Sequence, residues 1–146
     1  GIEDPQNLGQ IIRTSECAGI DGILIPKHRS IGITNTVLQV SQGAFVNIPI
    51  YSIGNVSQFL KLFKTCDFWI TAFENEMKSK RWCDIDLRGR TVIIVGSEGK
   101  GIRKSTINHS DNIGTIPMRG ITNSLNVSAS VSAILFERQR QLLKDN

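Results

Sequence analysis

A chain of 146 residues, 40% hydrophobic and 21% charged, has the size and composition of one globular domain, and such a chain hides roughly two-thirds of its unfolded surface without needing a disulfide or a metal. That composition excludes disorder and a collagen-like architecture, and no run nears the ~18 consecutive apolar residues of a membrane span. Seventeen Lys and Arg against thirteen Asp and Glu leave a net charge of +4, which suits a polyanionic partner without requiring one.

Asp4-Pro5 reads as a helix cap with Pro at the first helical position, and Leu8, Ile11, Ile12 and Ser15 follow at helical spacing up to Gly19. A short apolar run, Ile23 to Ile25, ends at Pro26. A helical pattern over about Thr36 to Ala44, a strand at Ile48 to Ser52 and a helix at Ser57 to Lys64 come next. Phe68 to Phe73 reads as a strand, and the polar stretch Glu74 to Arg90 as a long surface connection. Thr91 to Val95 is the most strand-like run. A short helix at Ile102 to Asn108, a strand at Ile113 to Pro117 and a helix at Val127 to Leu143 close the chain. Strands alternating with helices predict an α/β fold with a mostly parallel sheet and helices on both faces, and ligands in such sheets sit beyond the carboxyl ends of the strands. The chain reads as one domain over residues 1–146, with no repeat or linker. Because it opens on a helix with no strand before it and no initiator Met, it reads as an excised piece whose first strand has been cut away.

Cys17, Cys66 and Cys83 are an odd number without CxxC spacing, so they read as reduced thiols in a cytoplasmic setting. The N-terminus Gly-Ile-Glu-Asp lacks the basic and apolar regions of a signal peptide, so the protein reads as soluble and non-secreted, with no membrane partner. His28 and His109 stand alone, so no metal is expected. Six Phe, two Trp and one Tyr offer no obvious platform for stacking bases.

Three clusters sit at strand ends or a helix start: Asp4 to Arg13, Gly96 to Gly101, and Met118 to Asn126. Gly96-Ser97-Glu98-Gly99-Lys100-Gly101 follows a strand and precedes a helix, so its glycines can bring backbone N–H groups to a ligand while Glu98 supplies an acceptor. It fails the P-loop pattern, because Gly101 is followed by Ile102, and the G-x-G-x-x-G dinucleotide pattern also fails. Taken singly, each cluster has a bland explanation. The glycines make a tight turn, Ser124 or Asn126 caps the last helix, Asn7 bonds locally in the first turn, and Arg13 is a solvated charge.

Together and in order, DPQNLGQIIRT at Asp4 to Thr14, VIIVGSEGKGIR at Val92 to Arg103 and IPMRGITNSLNVS at Ile116 to Ser128 resemble the three motifs of the SpoU (TrmH-like) branch of the SPOUT RNA 2′-O-ribose methyltransferases. The resemblance spans essentially the whole chain. The stretch ILIPKHRS, Ile23 to Ser30, is most similar to the ribosomal RNA guanosine members. The resemblance implies an α/β domain with a C-terminal deep trefoil knot, against the general rule that chains avoid knots. It further implies S-adenosylmethionine as cofactor, a homodimer, and RNA as substrate, ribosomal in preference to transfer RNA. It assigns Gly96, Ser97, Ile116, Met118, Ser124 and Leu125 to the cofactor and Asn7, Arg13, Glu98, Ser124 and Asn126 to the catalytic polar set. It also implies that the strand before the first motif and a separate N-terminal RNA-recognition domain are missing.

Methyl transfer from a sulfonium is an in-line displacement needing no metal, and positioning alone can lower such a barrier by about 7–11 kcal/mol. A guanidinium stays protonated in nearly any protein setting, which argues against Arg13 as a general base and for Arg13 holding a phosphate and stabilising charge on the ribose oxygen. Asn7, Ser124 and Asn126 then orient cofactor, ribose or Arg13. Lys27, His28 and Arg29, then Lys100, Arg103 and Lys104, and finally Arg119 are the basic residues available to RNA. Alternative readings are a transfer RNA 2′-O-ribose methyltransferase and an inactive RNA- or cofactor-binding module. A nucleotide-dependent oxidoreductase or kinase-like domain is disfavoured by the failed phosphate fingerprints.

Overall fold

The structure, a computed structural model, describes residues 2–28, 30–75, 78–97 and 99–144. Helix α1 (Pro5–Cys17) starts where the Asp4 carboxylate accepts from the Gln6 N–H at 2.9 Å, with Pro5 at its first position. Its apolar residues face two ways. Leu8 and Ile12 pack with Val37, Ala44 and Ile48, whereas Ile11 packs with Val127, Val131 and Leu135. Burying a side chain of this kind contributes about 1.5–3 kcal/mol, so α1 joins the two halves of the core. Gly9 permits the approach on one side: a Cβ there would lie 2.7 Å from Val40 Cβ.

Strand β1 (Ile23–Pro26) pairs in parallel with β2 (Ile50–Ile53), Ile23 opposite Ile50. Between them α2 is shorter than expected, Asn35–Val40, because the chain turns at Gln42 and Gly43, both at positive φ, and continues as a 3-10 turn at Ala44–Val46. After α3 (Val56–Thr65), capped by Asn55, comes β3 (Trp69–Phe73). β4 is Lys80–Arg81, β5 Thr91–Val95, α4 Lys104–Ile107, β6 Asn112–Thr115 and α5 Val127–Leu143.

The strands form two parallel sheets where a single one was expected: β1-β2, and β4-β6-β3-β5. In the larger sheet Phe73 lies opposite Val95 on one side and Gly114 on the other. Ile70, Thr71 and Ala72 of β3 are fully buried, as befits a central parallel strand covered on both faces. β6 comes to lie between β3 and β4, two strands already linked in sequence.

Most described residues of the stretch Glu74 to Arg90 lie on the surface, as its polarity suggested, but the stretch is more than a connection. It contains β4 and a 3-10 turn at Trp82–Asp84, and it buries Ile85 and Leu87 against Ile134. The reason is a period of two: Asp84, Asp86 and Arg88 face solvent while Ile85 and Leu87 face inward. Gln141 of α5 fastens this segment, accepting from the Leu87 N–H at 2.8 Å and donating to the Ile85 carbonyl at 3.0 Å. Buried Glu137 accepts from both Gln141 and Arg140, and the hydrogen bond from Arg140 holds its carboxyl below the usual glutamate range.

Candidate functional site

The carboxyl ends of β3, β5 and β6 open into one cleft of about 590 Å³, within the range of roughly 300–1,000 Å³ typical of small-molecule sites. Phe73, Glu74 and Asn75 line it from β3, Val95 to Ser97 with Gly99 and Gly101 from β5, and Gly114 to Ile116 with Met118 from β6. Ser124, Leu125 and Asn126 close it, over a floor of Val127, Ser130 and Ile134. A second depression of about 500 Å³ at Ile33 and Phe45 to Ile50 is mainly apolar and gathers no chemistry.

Glycine shapes the rim for steric reasons. The chain folds back so closely that a Cβ on Gly96 would lie 2.6 Å from the Gly101 carbonyl carbon, and the Gly101 N–H donates to the Ser97 carbonyl at 3.1 Å. Gly101 itself has φ +60°, and a Cβ there would meet the Glu74 carboxylate. That carboxylate accepts from the Ile102 N–H at 2.7 Å. On the opposite wall Asn75 receives a hydrogen bond from the Thr115 hydroxyl and donates to the Asn123 carbonyl at 3.0 Å. The residues after β3 thus bind both other loops.

The third loop also meets the first motif. Asn126 caps α5, its Oδ1 accepting from the Ser128 N–H at 2.9 Å, while its Nδ2 donates to Asn7 Oδ1 at 3.0 Å. Thr14 and Ser132 add a hydroxyl pair at 3.1 Å between the same two helices. The bland reading of Asn126 as a cap is therefore correct and incomplete, since one amide serves both partners. Asn7, by contrast, is buried and reaches 119 positions along the chain.

Of the residues expected at a cofactor site, Gly96, Ser97, Ile116, Met118, Ser124 and Leu125 all line the cleft, as does Asn126. Arg13 is exposed on α1 and is not part of the lining. Lys27, Arg103 and Arg119 are exposed on three separate loops. Glu98 and Arg29 lie outside the described residues. Glu74 and Asn75 were missed, although the rule that ligands sit beyond strand ends points to them. Among the described residues no three His, Cys, Asp or Glu side chains gather as metal ligands, and no helix is long and apolar enough to cross a membrane.

Chemically, the cleft offers one charged side chain among the described residues, Glu74, with polar Ser97, Thr115, Ser124 and Asn126 beside apolar walls, a lining that suits a ligand with both polar and apolar parts. The family model of the SpoU rRNA methylases matches residues 1–136. The chain belongs to that family. It is 38% identical over 141 residues to the 23S rRNA (guanosine-2′-O-)-methyltransferase RlmB of Xylella fastidiosa, covering 97% of this chain and 56% of that protein. The TrmH/SpoU tRNA modifying enzyme of A. aeolicus superposes with a TM-score of 0.91 at 28% identity, over 99% of this chain and 73% of that one. An AdoMet-bound rRNA methyltransferase of Sinorhizobium meliloti gives 0.88 at 27%, over 96% and 53%. The chain spans little more than half the length of the curated relatives it matches. Membership accounts for the order of the three motifs along the chain.

Proposed function

We propose that this chain is the catalytic part of an S-adenosylmethionine-dependent RNA 2′-O-methyltransferase acting on a ribose hydroxyl, a guanosine of large-subunit ribosomal RNA by analogy with RlmB. The observation that carries this reading is that the second and third motifs line one cleft and the hydrogen bond from Asn126 to Asn7 ties the first motif to its edge. The cofactor supplies a methyl group activated on a sulfonium. Gly96, Ser97, Ile116, Met118, Ser124 and Leu125 hold it, with the tight glycine turn bringing backbone groups to the wall. Asn7, Ser124 and Asn126 orient the reacting groups. Arg13, exposed on the helix that carries Asn7, grips a phosphate beside the target ribose and stabilises negative charge on its oxygen. Lys27, Arg29, Arg103 and Arg119 meet the RNA backbone.

The protein works in the cytoplasm as a homodimer. Exposed Phe136 and Leu143 on α5 support a partner surface there. The position of β6 between β3 and β4, and the bond from Asn75 to the Asn123 carbonyl, support a knotted path for residues 116–126. The test is calorimetric binding of S-adenosylmethionine together with transfer of labelled methyl to ribosomal RNA. Transfer mapped to a 2′-hydroxyl is expected; binding without any transfer to RNA refutes the enzymatic reading. With RNA and cofactor saturating, Arg13→Ala should abolish transfer and Arg13→Lys should leave a small residue, because a lysine keeps the charge and loses the two-pronged geometry. Full activity in Arg13→Ala removes Arg13 from the chemistry.

A further inference from the structure

Glu74 follows β3, the strand between β5 and β6, and it is the one charged side chain among the described residues that lines the cleft. No feature of the three motifs includes it. Its Oε2 is engaged by the Ile102 N–H at 2.7 Å, and this is the only hydrogen bond of the carboxylate among the described residues. Among the described residues Oε1 therefore keeps its capacity to accept. The cleft combines apolar Phe73, Val95 and Ile116 with polar Ser97, Thr115 and Ser124, and a half-buried carboxylate on its wall attracts a positive ligand. Gly101 at φ +60° leaves room for the carboxylate, so loop and charge are fitted to each other.

We propose that Glu74 is a binding residue that recognises the positive charge of the cofactor's amino-acid half and is indifferent to its nucleoside half. This rests on the cofactor reading above. The charge has two sources, the sulfonium and the α-ammonium, and both attract a carboxylate through space without a fixed hydrogen-bond pattern. Uncharged nucleoside hydroxyls gain far less from the same group.

The variant that isolates the charge is Glu74→Gln, since its amide oxygen still accepts from the Ile102 N–H and keeps the loop in place. Calorimetry on parent and variant uses three probes: S-adenosylmethionine, S-adenosylhomocysteine, which retains only the ammonium, and methylthioadenosine, which has neither charge. Glu74→Gln should weaken S-adenosylmethionine roughly tenfold, as expected for a half-exposed charge pair, and leave methylthioadenosine within about twofold. A loss shared by S-adenosylhomocysteine assigns the ammonium; a loss confined to S-adenosylmethionine assigns the sulfonium. Equal weakening of methylthioadenosine, or no weakening of S-adenosylmethionine, overturns the proposal while leaving the cofactor reading intact. If the parent protein binds no S-adenosylmethionine, both fall together. The parent also supplies a check independent of the variant's folding: added salt should weaken S-adenosylmethionine more than methylthioadenosine, and an equal response to salt counts against Glu74.

Discussion

Asn126 is the most exacting test of the architecture, because a single amide ends one loop, starts α5 and grips α1. Replacing it by Ala removes the cap from the Ser128 and Ala129 N–H groups and leaves the buried Asn7 without its partner. Loss of an N-cap costs about 1 kcal/mol, and a buried polar group left unsatisfied costs about 1–3 kcal/mol. The expected loss is about 2–4 kcal/mol, a large share of the roughly 5–15 kcal/mol that holds a domain together. With an m-value of about 2 kcal/mol/M, the urea midpoint should fall by about 1–2 M. Asn126→Ser separates the two contributions, since Ser caps as well as Asn but is too short to take the place of the amide at Asn7. It should recover only the capping part, and the cycle with Asn7→Ala should show a coupling of about 1 kcal/mol or more. A loss below about 0.5 kcal/mol in Asn126→Ala, or no coupling with Asn7, would refute the claim that this amide joins the motifs.

Gly96→Ala places a Cβ 2.6 Å from the Gly101 carbonyl carbon, so the turn must open by the better part of an ångström; S-adenosylmethionine affinity by calorimetry should fall at least tenfold, and an unchanged affinity would show that the turn does not shape the cofactor wall. Leu87→Ala should cost about 2–5 kcal/mol in chemical denaturation, because the side chain is fully buried; a loss typical of surface sites, within about 0.5 kcal/mol, would return Leu87 to the solvent. Glu137→Gln bears on pH. Arg140 depresses the folded-state pKa of Glu137, so its stabilisation is present above the usual glutamate range and is lost as pH falls through the lowered value. Parent and variant should therefore differ at neutral pH, by about 1–2 kcal/mol, and converge on acidification; a gap independent of pH contradicts the assignment.

Much of the fold was legible because local chemistry and long-range packing agree. Asp4-Pro5 is a local helix-start signal that the packing of α1 upholds, and the apolar runs at 69–73 and 91–95 have the length and branching of buried parallel strands. Errors arose where a short segment answers to distant partners. Two-residue β4 has no propensity of its own and exists because β6 offers an edge, with Lys80 opposite Gly114 and Arg81 opposite Thr115. Leu87 looks exposed among Asp84, Asp86 and Arg88 until Gln141, 54 positions later, fixes the segment with the hydrophobic side inward. The division into two sheets was equally invisible, since pairing between strands is decided by tertiary placement and not by the pattern within each.

The site divides along the same line. Gly96, Ser124 and Asn126 are small or short polar residues at places where a backbone approaches another group closely, and such requirements leave a mark in sequence as glycine or a capping residue. Glu74 leaves none. A glutamate after a strand satisfies every expectation for a solvated surface residue, and only the path of Gly101, 27 positions later, turns its carboxylate into a cleft wall. The same asymmetry explains why Asn7 read as local bonding: a short amide in a first helical turn is satisfied by its neighbours unless some distant group replaces them, and here Asn126 does. Close approach constrains the residue type and so can be read from one position, whereas charge placed by topology constrains only the pair. Residues of the second kind in this cleft are therefore found by asking which side chains the strand ends bring together.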